Sequence, residues 1–159
     1  MVLFDVAEQD RPVRTRLRAT LRQAKLGYLQ GSVWISLAPL DQLRASIRAM
    51  TANPEALLFF DGLPSAGESD ATLVAGAWNC GRLGEAHREC LGILEQPPAD
   101  SDPSHRWRLW LLKEREAWMR ALDLDPLLPG SLLPSGYLGR KVPALRRSLI
   151  RRALPHNPD

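Results

Sequence analysis

The residues of this chain most able to do chemistry are its arginines. Arg11, Arg14, Arg16, Arg18, Arg22 and Lys25 follow one another with no acid among them. Arg14, Arg18 and Arg22 recur every fourth residue, so a helix would carry them as one stripe. A second acid-free run holds Arg140, Lys141, Arg146, Arg147, Arg151 and Arg152, while acids outnumber bases between the two runs. The net charge of +3 is therefore concentrated in two segments, and clustered cations attract phosphates and other polyanions. The same spacing also fits two solvated helix faces, partly paired with the acidic middle. Asp5 is a second candidate, as a carboxylate at the end of an apolar run. Mg2+ is usually held by one or two carboxylates plus substrate phosphates, so a strand-end or capping role is the favoured reading of this single acid. Cys80, His87 and Cys90 supply three potential zinc ligands where four are normal, so core packing and reduced thiols are expected. No Ser-His-Asp or Cys-His spacing and no glycine-rich phosphate loop is present. The residues call for no metal and no cofactor.

The elements that must position these residues follow from pattern. Val2-Leu3-Phe4 is a short apolar run, long enough for a buried strand. Asp10 and Pro12 open a helix whose apolar side is Val13, Leu17, Leu21 and Ala24, and Gly27 is expected to end it. Tyr28 to Ser36, rich in aromatic and β-branched residues, reads as two short strands or one broken at Gly31. Leu40, Leu43, Ile47 and Met50 mark a second helix, and Ala56 to Phe60 a further strand. Strand, helix, strand, strand, helix, strand is the order of a ferredoxin-like, split βαβ sandwich. Gly62 to Ser69 reads as a loop, after which strands disappear. A helix over 72–94 broken near Gly81, a long one over 105–122 carrying Trp107, Trp110 and Trp118, and a last one over 143–154 are expected. The tail after Pro155 should fray, and His156 lies in it. The fold class is thus α+β: a ferredoxin-like domain at residues 1–64, then an all-helical domain at 70–155. No apolar run approaches the length that spans a bilayer.

Two resemblances sharpen this. Phe4-Asp5, the arginine-rich helix and Gln30-Gly31-Ser32-Val33-Trp34 are similar to the small ferredoxin-like nucleases of the CRISPR adaptation complex, in which the aspartate can help hold a divalent metal across a dimer interface. Asp125-Pro126-Leu127-Leu128-Pro129-Gly130-Ser131-Leu132-Leu133-Pro134, followed by Gly139, resembles the signature of the PaaX family of bacterial transcriptional regulators. Ala77-Trp78-Asn79 followed by Leu83 is similar to another segment of that family, whose middle domain is of the same nuclease-like type. His87 stands where that family usually has tyrosine, and Tyr137 roughly where it has tryptophan.

The PaaX resemblance implies the effector-binding and dimerisation part of a cytoplasmic repressor. It implies a homodimer that senses an aromatic acyl-coenzyme A, with phenylacetyl-CoA the family's type ligand. Arg14, Arg18 and Arg22 are the candidate contacts for the effector phosphates. The proline-leucine signature, with its fixed φ angles and buried leucines, is expected to be a structural clasp. Full-length members begin with a winged-helix DNA-binding domain, and this chain starts at the first strand of the middle domain. DNA contact is therefore expected to be weak, or to need a separate winged-helix protein. A metal-dependent nuclease built on Asp5, or a non-enzymatic scaffold pairing with a DNA-binding protein, are the alternatives; no enzyme activity is expected on the main reading.

Overall fold

The computed structural model describes residues 1–6, 8–51 and 53–153, apart from the side chain of Glu8. The expected end of the last helix at Leu154, the tail after Pro155 and His156 lie outside the described residues. The chain forms two compact units. One holds residues 1–79 and 126–133, the other 80–125 and 134–159. By packing, the chain divides after Asn79 rather than in the 62–69 loop, and a short piece of the later sequence belongs to the first unit.

The first unit is an α+β sandwich. Strands β1 (Val2–Phe4), β2 (Gly27–Gln30), β3 (Val33–Ile35) and β4 (Leu57–Phe59) form one antiparallel sheet in the order β2-β3-β1-β4. Helices α1 (Arg11–Gln23) and α2 (Asp41–Arg48) supply Leu17, Leu21 and Ile47 to a core shared with Val2, Phe4, Trp34 and Leu57. Alternation in β1 puts Val2 and Phe4 inside and leaves Leu3 half-buried, the period-2 pattern of a sheet with one covered face. Tyr28 to Ser36 resolves as two strands, with Gly31 in the connecting turn at φ +54° and an irregular register between Tyr28 and Gln30.

Gly27 does not end α1. The helix stops four residues earlier, in a paired closure where Lys25 N donates to Arg22 O and Leu26 N to Leu21 O. Lys25 takes the left-handed position at φ +64° that glycine usually fills. Gly27 is instead the first residue of β2, where a Cβ would stand 2.6 Å from Ala77 Cβ and 2.7 Å from the Trp78 ring. The glycine is there so that α3 (Asp70–Ala77) and Trp78 can lie against the strand. Ser69 caps α3 by accepting from Thr72 N at 3.1 Å. The break expected near Gly81 falls at Trp78, whose backbone turns extended while its Nε1 donates to Lys25 O at 3.2 Å. Gly81 lies inside the next helix.

The second unit is helical: α4 (Cys80–Leu94), α5 (Ser104–Leu124) and α6 (Lys141–Ala153) enclose Cys90, Leu94, Trp107, Trp110, Ala117 and Val142. Trp107 and Trp110 are core, as their spacing suggested. Their indole N–H groups donate to Ala99 O and Ile93 O, which ties α5 to the loop before it and to the last turn of α4. Among the described residues no helix is long and apolar enough to cross a membrane.

Candidate functional site

The two arginine runs, alike in sequence, have different fates. In the second unit Arg146 meets fully buried Glu114 twice, at 2.6 and 3.3 Å, and stacks 5.2 Å from the Trp118 ring. Arg152 pairs with Asp100 at 2.7 Å, and Lys141 lies 4.0 Å from Glu95. Three of the six residues of that run thus meet acids of the same unit. Of the arginines in the first run, none pairs with an acid among the described residues. Arg14 donates to the Val6 carbonyl at 2.5 Å, which fixes it against the end of β1. Arg18 has its Nε shut off from solvent with no acceptor among the described residues. Arg11, Arg14, Thr15 and Arg18 together line a cleft of about 590 Å3 with no acid among the described residues of its wall. An orphaned buried donor is costly, and a phosphate oxygen would satisfy it in the charge-assisted geometry arginine favours.

Arg22 does not join this cleft. Its guanidinium lies 5.6 Å from the Trp34 ring, a cation–π contact over the core. Arg11 and Thr15 take its place in the wall. Helical spacing could have found them, since positions 11, 14, 15 and 18 share one face.

Asp5 is exposed at the end of β1, with its backbone N–H donating to Ala56 O. Among the described residues no group of three or more His, Cys, Asp or Glu stands close enough to hold a metal. Cys80, His87 and Cys90 do not converge on an ion. Cys90 is fully buried, and burial first, then the charge of Glu114, pushes its thiol up to about 11.

The proline-leucine signature splits between the units. Asp125, Pro134 and Gly139 belong to the second, Pro126 to Leu133 to the first. Asp125 is buried and accepts a short hydrogen bond from the Tyr137 hydroxyl. His87, also buried, meets Tyr137 edge-on at 5.4 Å, with its Nε2 3.9 Å from Asp125, beyond hydrogen-bond reach. His87 and Tyr137 thus touch each other. A Cβ at Gly139 would run into the Tyr137 ring, which explains that glycine.

In the first unit Pro126 and Leu128 are buried, Leu132 and Leu133 half-buried, and Pro129 exposed. Gly130–Leu132 forms a 3-10 turn beside α3. Leu127 between the buried pair is 68% exposed and left-handed, at φ +55°. The segment from Pro126 to Pro129, Trp78, Ala24, Lys25 and the Ser36–Ala38 loop enclose a second hollow of about 360 Å3. Two motifs nearly fifty residues apart, by the numbers of Trp78 and Pro126, therefore meet in one place.

Residues 1–74 match the family model described as the PaaX protein central Cas2-like domain. No curated protein sequence matches the chain significantly. Among solved structures, the chain is similar to "Uncharacterized protein Rv0674 from Mycobacterium tuberculosis", with a TM-score of 0.67 at 18% identity. The match covers 98% of this chain and 59% of that one, so this chain spans about three fifths of that protein's length. At that identity the likeness speaks for the fold.

Proposed function

From the premise that the first unit is of the PaaX central, Cas2-like type, we propose that this chain is the effector-binding and dimerisation part of a PaaX-like bacterial transcriptional regulator. The family domain supports the regulator-type role. The observation that carries the effector reading is the cleft of Arg11, Arg14, Thr15 and Arg18, with no acid among its described residues and with its orphaned Arg18 Nε. The effector is an aromatic acyl-coenzyme A of the phenylacetyl-CoA kind, whose phosphates bind at Arg11, Arg14 and Arg18. Arg22 is not part of this contact on the geometry described. Asp5, an exposed strand-end acid, is assigned no catalytic role.

Calorimetric titration with phenylacetyl-CoA, coenzyme A and phenylacetate tests this. Phenylacetyl-CoA and coenzyme A should both bind, and the Arg14→Gln/Arg18→Gln double variant should weaken both at least tenfold, about 1.4 kcal/mol. Binding left unchanged in that variant overturns the assignment of the cleft.

The unit is proposed to dimerise through its sheet. Leu58 and Phe60, 52% and 46% exposed, lie on and just beyond the edge strand β4. Exposed edges of this kind are usually covered by a partner. DNA contact by this chain alone would be of the phosphate-only kind, without base readout.

A further inference from the structure

We propose that the hollow between the 126–129 segment and the Ser36–Ala38 loop is a binding site for a small uncharged molecule of one or two rings, seated beside the Trp78 indole. Three observations on the first unit carry this.

The first is strain. Lys25 and Leu127 are the only non-glycine residues with left-handed backbone among those described, and both line this hollow. Neither has the short polar side chain that makes the left-handed region tolerable for asparagine or aspartate. The closure of α1 accounts for Lys25, but not for Leu127, and such residues persist where the surroundings over-determine them, often at ligand clamps and switches.

The second is polarity. The two neutral polar side chains of the wall, Trp78 and Ser36, are already used within it. Trp78 Nε1 donates to Lys25 O at 3.2 Å, while Ser36 Oγ accepts from Ala38 N at 3.1 Å and donates to Ala38 O at 2.9 Å. What the hollow mostly offers a ligand is carbon, from Leu37, Ala38, the half-buried indole, Pro126, Leu128 and Pro129, with Lys25 the charged residue beside them. A strongly hydrated group would lose much of its water there with little replacement from so apolar a wall.

The third is size. At about 360 Å3 the hollow stands at the small end of ligand sites. It suits a ring system and is too small for a long chain. Leu37 and Leu127, 51% and 68% exposed, are the two large apolar side chains in its wall that a ligand would cover. This site is separate from the arginine cleft and asks for no phosphate, so it stands or falls apart from the effector reading.

The test is NMR on the full chain with 13C-labelled leucine methyls, titrated with indole and with cyclohexanol. Saturable shifts confined to Leu37, Leu127 and Leu128 are expected, with indole tighter and a dissociation constant on the order of 1 mM. Ala38→Trp, a change at an exposed loop position, should fill the hollow and abolish the shifts while circular dichroism stays native. Leu127→Gly should raise the melting temperature by releasing the strained backbone, yet weaken indole several-fold because the wall is no longer held in place. Shifts that do not saturate, that scatter over the molecule, or that survive Ala38→Trp overturn the proposal. So does broadening of the same methyls that follows protein concentration instead of ligand, since a second copy would then be the occupant.

Discussion

His87 has its Nδ1 buried without a hydrogen-bond partner among the described residues, and its other nitrogen too far from Asp125 to bond. Burial lowers its pKa and outweighs the raising effect of Asp125. The folded form therefore resists the proton more than the unfolded chain does, whose histidine titrates near about 6.5. The sign follows. Above that pH the group contributes no penalty, and stability falls as pH drops below about 6.5 towards the lower folded value. Thermal melts between pH 7.5 and pH 5 should show this loss, and His87→Gln should flatten it. Parallel pH profiles in the two proteins would remove His87 as the cause. In the sequence His87 stood out as a possible ligand or a core residue, and nothing marked Tyr137 and Asp125 as its neighbours. The three lie 38 and 12 residues apart by their numbers, and only the packing of the second unit joins them.

At the scale of elements, α5 and α6 are tied by the Glu114–Arg146 pair. Glu114 is fully buried and Arg146 largely so. Removing one member of such a pair leaves an uncompensated charge inside, which typically costs 3–5 kcal/mol. Arg146→Ala should therefore destabilise the second unit by about 3 kcal/mol, read from urea unfolding, whereas a pair replacement by Glu114→Leu/Arg146→Met should recover most of the loss. A small effect of Arg146→Ala would mean that water reaches Glu114. The elements themselves were largely legible, because amphipathic periodicity and caps are local properties. The misplaced boundaries are instructive. Gly27 looks like a helix stop, yet its missing Cβ serves Trp78, fifty-one positions on. Lys25 does the stopping instead, in a conformation that no propensity assigns to lysine.

The whole molecule is two units whose sequences interleave, since Pro126–Leu133 leaves the helical half to pack in the first unit. Dimerisation through the open side of the sheet is the prediction that belongs here. Sedimentation equilibrium at micromolar concentration should give a dimer, and Leu58→Lys/Phe60→Lys should give a monomer with unchanged circular dichroism. A wild-type monomer under the same conditions refutes it. For DNA, fluorescence anisotropy with a promoter fragment beside a scrambled one should show no preference. Dissociation constants should be on the order of 10⁻⁴–10⁻⁶ M at physiological salt and rise steeply as salt increases. A nanomolar preference for the promoter would mean that an element of this chain reads base edges.

The sequence by itself determined the α+β class, the strand–helix order of the first sixty residues, the helical remainder and the two acid-free arginine runs. These follow from periodicity, glycine and proline punctuation and formal charge, which act over a few residues. Only the tertiary structure decided which arginines meet an acid. Whether an arginine is neutralised depends on an acid brought near it in space, and Glu114 reaches Arg146 across thirty-two positions while no described acid reaches the α1 cleft. The same holds for the proline-leucine signature. Its prolines announced a rigid segment, but the hollow it forms exists only because Trp78, Lys25 and the Ser36–Ala38 loop meet it from three other parts of the chain. Concavity is a property of surfaces that converge, and no single stretch of sequence carries it.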